Sequence, residues 1–338
     1  AAARMFSPKS PTIRAKVQDP AQVQSALPVE ERTTFGAQLG RRFLFSVEVN
    51  PKSGIDPSSA VNAASMLKEA GADVINIADG PRATVRMSNL SLAISIQREL
   101  NMETLLHVCC RDRNFLGLQS HLLGAHVVGV RNVVLITGDP PKMGDYPNAT
   151  AVYDVDSIGL IRMVNDFNGG VDPAGKPVQP ATQFVIATGA EPAAVDFERE
   201  IVRLKQKVEN GANLVMTQPI YDPGHMDRFL EATADLDVPV MVGILPLASH
   251  KNAEFLHNHV PGMQIPDDIR ARMKEAGKGE EARATGVGIA VEALKGLRDK
   301  VAGAYIMPPL GRYEMAAEII TAFRDDRALT EGVPGRRG

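Results

Sequence analysis

Polar residues able to do chemistry recur in this chain directly after short apolar runs. Glu48 closes Phe43-Leu44-Phe45-Ser46-Val47-Glu48, and Asn76 with Asp79 follows the second run. His107 ends the third, Thr137 with Asp139 the fourth, Thr188 the fifth and Gln218 the sixth. Glu48 says most. Around it, from Phe43 to Asn50, odd positions are uniformly apolar and even ones mixed. Successive side chains of a strand point to opposite faces, so Ser46, Glu48 and Asn50 share one. A carboxylate turned into the mouth of a closed sheet loses water, which favours its protonated form and suits a general acid. A structural ion pair is the competing reading.

The other positions leave alternatives open. Asp139 in Gly138-Asp139-Pro140-Pro141 is either a site carboxylate or a turn residue. Gln218 offers a heterocycle both a donor and an acceptor, or bonds to a neighbouring loop. Arg82, Arg86, Arg111 and Arg113 follow strands two and three. They would attract a pyrophosphate or carboxylates, unless Asp79 and Asp112 pair with them. Gly286-Val287-Gly288 reads as a weak phosphate nest before a helix. The seven histidines show no metal-ligand spacing, and no metal is expected. Met66, Met87 and Met163 sit at apolar helical spacing and are expected in the core.

The elements that must position these residues form one rhythm. Apolar runs occur at Phe43–Val49, Asp73–Ala78, Thr104–Val108, Asn132–Thr137, Gln183–Thr188, Asn213–Thr217, Val238–Ile244 and Val301–Met307. Helical spacing fills the gaps, as in Ser58–Ala70, Phe197–Asn210 and His225–Ala234. Such alternation predicts a parallel sheet. Gly71 and Gly211 stand where a helix ends and a strand follows at once, a position that calls for a left-handed residue. Eight runs, with no Gly-x-Gly-x-x-Gly after the first, favour a single α/β (β/α)₈ TIM barrel over an open nucleotide-binding sheet. Its site belongs at the C-terminal strand ends. Residues 1–40 read as an N-terminal extension with one short helix over Val29–Leu39. Residues 41–325 form the barrel, with extra helices in Ile265–Leu297 before strand eight. Residues 326–338 read as a flexible tail, and Gly169–Thr182 as a long loop.

Composition excludes other classes. The 338 residues carry 37 Lys+Arg against 40 Asp+Glu, net charge -3, which leaves no basic footprint for nucleic acid. No apolar run approaches the ~18 residues that cross a bilayer, and Ala1–Pro11 lacks the apolar core of a secretory signal. The only cysteines, Cys109 and Cys110, are adjacent, which suits neither a mutual disulfide nor a closed zinc site. A cytoplasmic location is expected.

Longer motifs sharpen this. Val47-Glu48-Val49-Asn50-Pro51, Ala78-Asp79-Gly80-Pro81-Arg82, His107-Val108-Cys109-Cys110-Arg111-Asp112-Arg113-Asn114 and Gly138-Asp139-Pro140 occur in this order. Leu204-Lys205-Gln206-Lys207-Val208, Gly211-Ala212-Asn213, Thr217-Gln218-Pro219 and Met307-Pro308-Pro309-Leu310-Gly311-Arg312-Tyr313 follow. From about Phe35 to Phe323 the chain resembles the methylenetetrahydrofolate reductase family, most closely the reductase half of bacterial fusions to a homocysteine methyltransferase. The resemblance implies non-covalent FAD that takes hydride from NADH or NADPH and reduces 5,10-methylenetetrahydrofolate to 5-methyltetrahydrofolate. By position Glu48 matches the catalytic acid, and Asp139 the second catalytic carboxylate, beside flavin and pterin. Asp79, His107, Thr137, Gly138, Tyr153, Asp154, Gly189, Arg203 and Lys207 match positions at the FAD site. Gln218 matches the amide that holds the pterin, His250 the nicotinamide contact, and Arg312 a position near substrate. Thr137, Gly189, Gln206 and His250 depart from the enterobacterial pattern, which bears on the electron donor rather than on folate chemistry. Implied partners are the folate and a fused or associated homocysteine methyltransferase, with homo-oligomerisation left open. Two alternatives stand beside this: a non-redox pterin-binding methyltransferase barrel, and a flavoprotein subunit that needs a partner electron donor.

Overall fold

A computed structural model describes residues 25–260 and 262–331. Eight strands alternate with helices and close into a parallel barrel in sequential order. The strands are β1 (Leu44–Glu48), β2 (Val74–Ile77), β3 (Thr104–Cys109), β4 (Asn132–Ile136), β5 (Val185–Ala190), β6 (Leu214–Pro219), β7 (Val240–Ile244) and β8 (Gly303–Ile306). A four-residue helix, α1 (Val29–Arg32), precedes β1. The other helices are α2 (Ser58–Glu69), α3 (Asn89–Leu100), α4 (Phe115–Val127), α5 (Ser157–Asn168), α6 (Phe197–Glu209) and α7 (Pro223–Ala232). Three more, α8 (His250–His259), α9 (Asp267–Glu275) and α10 (Glu280–Leu297), separate β7 from β8, and α11 (Tyr313–Glu331) ends the described chain. The expected extra helices before strand eight are present. Gly71 and Gly211 have φ of 101° and 113°, the left-handed values their helix ends require.

Alternation in each strand sorts side chains between two cores. Leu44, Val74, Leu105, Val134, Ala187, Leu214, Met241 and Tyr305 fill the barrel axis. Phe45, Val47, Ile75, Val108, Leu135 and Ile306 face outward into the layer beneath the helices. Closure depends on β1 lying beside β8, with Ser46 opposite Tyr305.

The N-terminal end of the barrel is plugged by residues just before β1. The single helix expected over Val29–Leu39 is instead α1 followed by a 3-10 turn at Gly36–Gln38. Phe35 between them is 3% exposed and joins the axial cluster, worth about 2 kcal/mol for a buried aromatic. Glu103 accepts the Thr34 and Phe35 amides, while the buried Arg32 donates to the Phe184 carbonyl and to Asn213. These bonds compete with helical ones, which explains the broken helix.

Two other expectations change. Gly286 and Gly288 lie inside α10 rather than ahead of it, so their amides are spent on helical bonds and form no phosphate nest. Of the three methionines, Met163 is buried, but Met66 is exposed on α2 and Met87 lies in the loop after β2. Residues 332–338 and 1–24 lie outside the described structure.

Candidate active site

The strand-end face carries three groups of polar side chains. The first surrounds Glu48. Its Oε1 accepts from Asn50 Nδ2 at 2.9 Å, and its Oε2 accepts from the Tyr305 hydroxyl. Tyr305 is buried, and burial pushes its phenol well above the ordinary range, with the nearby Glu48 charge adding to this. Below Glu48 a chain of neutral groups runs around the barrel: Asn76 donates to Ser46 and meets His107 Nε2 at 3.0 Å. Burial lowers the His107 pKa, against the pull of Glu48 and Asp79, so the imidazole is neutral at pH 7. Among the described residues no Lys or Arg pairs with Glu48.

The second group spans the loops after β2, β3 and β4. Asp79 pairs with Arg113 at 2.8 Å and accepts the Cys109 amide. Burial works to raise the Asp79 pKa, but Arg113 and that amide overcome it and the net shift is downward. Arg111 grips Asp112 with two nitrogens at 2.7 Å and donates to the Asp139 and Gly80 carbonyls. Two of the four arginines, Arg111 and Arg113, are therefore occupied by carboxylates, as the charge-pair reading expected, whereas Arg82 and Arg86 form no ion pair among the described residues. Asp139 Oδ2 accepts the Arg82 amide at 2.8 Å. That amide is aimed by an unusual backbone, with φ of 56° at Arg82 and 54° at Ala83, conformations that cost ~1–3 kcal/mol each outside glycine. Tyr153 donates to the Gly138 carbonyl, Asp154 accepts the Phe115 amide, and Thr137 Oγ1 accepts the Ser157 amide.

Asp79, Cys109 and Asp112 approach one another closely enough to suggest a cation site. The chemistry argues against it. Burial pushes the Cys109 thiol up to about 12, and both carboxylates are already paired with arginine.

The third group lies on β5 and α6. Lys207 is buried and donates to the Gly189 carbonyl at 2.7 Å, and burial lowers its pKa. Arg203 reaches Asp156, the cap of α5, at 3.5 Å. Gly189 faces the axis, where a Cβ would meet nothing closer than 4.0 Å.

Gln218, His250 and Arg312 share no hydrogen bond or ion pair with these groups. Gln218 is exposed at the end of β6, at a register shift against β7. Gly243 permits that shift, since a Cβ there would lie 2.3 Å from the Thr217 carbonyl. His250 begins α8, 3.9 Å from Glu254 and without a hydrogen-bond partner on Nδ1, because Arg270 holds Glu254 with two bonds. Arg312 is exposed after β8.

Tyr305 is the residue that strand-end inspection overlooked. It sits inside the eighth run rather than at its end, but alternation with Gly303 and Met307 would have placed it on the axial face.

A family model for methylenetetrahydrofolate reductase matches residues 36–323. The chain belongs to the methylenetetrahydrofolate reductase family. Relatives in the family include the 5,10-methylenetetrahydrofolate reductase of Salmonella typhimurium, 25% identical over 72% of this chain and 78% of that one. The probable methylenetetrahydrofolate reductase (NADH) of Oryza sativa is 26% identical over 67% of this chain. The chain covers only 38% of that rice protein and 35% of methylenetetrahydrofolate reductase 2 of Saccharomyces cerevisiae, so it spans about a third of these longer relatives. Among solved structures, a Clostridium thermocellum protein that binds two copies of 5-methyl-5,6,7,8-tetrahydrofolic acid superposes with a TM-score of 0.58 at 15% identity. That match covers 88% of this chain and all of the other, and it shows a shared barrel fold. Among the described residues no helix is long and apolar enough to cross a membrane.

Proposed function

We propose that this family member is an enzyme that reduces 5,10-methylenetetrahydrofolate to 5-methyltetrahydrofolate, with electrons from NADH or NADPH passing through non-covalent FAD. The observation that carries the reading is the Glu48 carboxyl, turned into the barrel mouth and held by neutral partners, Tyr305 and Asn50. The imidazolidine ring of the substrate opens only when its aniline-type bridging nitrogen is protonated. Water is a poor acid at neutral pH, and a positioned carboxylic acid is worth ~10²–10⁴ in rate. Glu48 would deliver that proton, leaving an iminium on the pterin side of the substrate. Tyr305 keeps its own proton and orients the carboxyl.

The residues present fit a flavin. Gly189 leaves an open, axis-facing patch on β5, with the buried Lys207 behind it and Arg203 on the same helix. Thr137, Gly138, Tyr153 and Asp154 line the neighbouring strand ends, Asp79 and His107 the next. Bound there, FAD supplies the two-electron reservoir between nicotinamide and folate. Asp139 would place a negative charge near it, and the Gln218 amide, exposed at the end of β6, would hold the pterin. Arg312, exposed beyond β8, suits the substrate's glutamate carboxylate. A cytoplasmic location accords with this substrate and with two free, buried cysteines.

A second electron route has one observation in its favour. His250 stands where nicotinamide contact is implied, and among the described residues its one ion-pair partner is Glu254 of its own helix, at 3.9 Å. A partner protein would then supply electrons. Anaerobic reduction of the purified protein with NADH and NADPH separately, followed by methylenetetrahydrofolate, tests the scheme. Flavin bleaching and its reversal by folate are expected. A colourless protein that still binds folate would replace the scheme with a non-redox pterin barrel.

A further inference from the structure

We infer that Asn50 is a positioning residue that keeps the Glu48 carboxyl hydrogen-bonded in both of its protonation states, so that its direction toward the substrate nitrogen survives the proton transfer. The inference rests on Glu48 being the acid of the proposed reaction.

Three observations lead to it. Asn50 Nδ2 donates to Glu48 Oε1 at 2.9 Å. The other end of the same amide, Asn50 Oδ1, is buried and has no hydrogen-bond partner. Buried acceptors are almost always satisfied, so an orphan beside a reacting group calls for an explanation. No cation pairs with Glu48 among the described residues, so its carboxyl is held by Asn50 and Tyr305, two groups that can each donate or accept.

An amide carries a donor on one side and an acceptor on the other, and a half-turn about χ2 exchanges them. Toward the carboxylate, Asn50 presents Nδ2. Toward the carboxylic acid it presents Oδ1, which then receives the carboxyl O–H and is no longer an orphan. Tyr305 has the same double capacity on the other oxygen, since its hydroxyl can donate or accept. Other groups facing Glu48 are Tyr313 at the start of α11, close to the Asn50 backbone, and His107 on β3, with Asp79 beyond it. His107 is neutral, and burial keeps both phenols protonated.

In the step itself the Glu48 O–H bond breaks and an N–H bond forms on the bridging nitrogen. The bond from that nitrogen to the methylene carbon then breaks, its electron pair staying on the nitrogen. The carboxylate left behind is the species that Asn50 Nδ2 already contacts in this structure.

The experiment uses the flavin-loaded protein in single-turnover oxidation by methylenetetrahydrofolate across neutral pH. Asn50→Leu can serve neither state and should slow that half-reaction about tenfold or more, the usual loss for one hydrogen bond to a charged group. Binding of 5-methyltetrahydrofolate should change less than twofold. Asn50→Asp can only accept while ionised, and its negative charge beside Glu48 should move the alkaline limb of the rate upward. In a Glu48→Gln background, Asn50→Leu should cost nothing further, because residues acting as a unit are not additive. Infrared difference spectra of the cofactor-free protein give an independent readout. The carboxyl band that is present in the wild type and missing in Glu48→Gln should shift in frequency in Asn50→Leu. Additive losses in the double variant, or an unshifted carboxyl band, would overturn the role of Asn50 while leaving Glu48 as the acid. If Glu48→Gln alone leaves the folate half-reaction intact, the underlying reading fails instead.

Discussion

Two edges of the barrel mouth hold carboxylates in opposite ways. On the β8–β1 edge, Glu48 meets a phenol, an amide and a neutral imidazole. On the β2–β4 edge, Asp79 and Asp112 are locked to arginines, and Asp139 is tied to a backbone amide. The difference is one of exchangeable roles. Tyrosine and asparagine can donate or accept, so a proton can come and go without breaking the site. Arginine only donates, so its partners stay charged and stay put. One edge suits proton transfer and the other suits holding shape and charge.

The sharpest way to break this comparison is Glu48→Gln. The folate half-reaction should fall by ~10²–10⁴, while flavin reduction by nicotinamide stays within a few-fold. Stopped-flow timing of each half-reaction checks it, and equal slowing of both would make Glu48 structural.

Next in size is Arg113→Met, which leaves Asp79 buried without its counter-charge. Loss of about 2–4 kcal/mol is expected at neutral pH, in the range for breaking a partly buried pair, measured by urea unfolding. The pH dependence gives the sign. In the wild type the Asp79 pKa is depressed below 3.8, so its contribution is present above that value and lost only as pH falls through the folded pKa. Without Arg113, burial dominates and raises the pKa, so the deficit should shrink as the pH drops toward 5. A deficit that does not vary with pH would mean that packing, not charge, was lost.

Asp139→Asn tests the same edge more gently. The amide oxygen can still accept the Arg82 amide, so the loop should persist while the charge is gone. A carboxylate near a flavin disfavours its reduced anion, and the variant's potential should become more positive in a dye-coupled titration. An unchanged potential in a folded variant would remove Asp139 from the flavin's surroundings.

The smallest effect concerns His121 on α4, behind Arg113. Burial, with Arg113 adding to it, lowers its pKa from 6.5 to about 4, and its Nε2 has no partner. A depressed histidine contributes stability that is present above its unfolded pKa and lost as pH falls through the folded one. Between pH 6.5 and 4 the wild type should lose about 1–2 kcal/mol from this group, allowing for solvent screening. His121→Gln should flatten that slope in melting temperature against pH, and an unaltered slope would assign the acid sensitivity elsewhere.

Much of the frame was legible residue by residue. Phe45, Val47 and Val49 face the helices and Ser46 and Glu48 the axis, as their alternation required, because a strand's period of two is a local property. The left-handed glycines at 71 and 211 followed from local sterics as well. Less legible was the Val29–Leu39 stretch, whose helical propensity yields to bonds with Glu103, Phe184 and Asn213, all distant in sequence. His250 and Arg312 follow β7 and β8, but no bond among the described residues draws them to the Glu48 cluster.

By itself the sequence determined that Glu48 faces the axis of a closed parallel sheet, since periodicity decides which way a side chain points. Only the tertiary structure decided what it meets there. Tyr305 lies 257 positions away and becomes its partner because closure sets β8 against β1 in one register. Alternation along a strand fixes a face but carries no information about the neighbour across it. The same holds for Asp79 and Arg113, joined over β2 and β3. Whether a carboxylate can exchange its proton or is locked as an anion depends on those neighbours, and the folding of the chain supplied them.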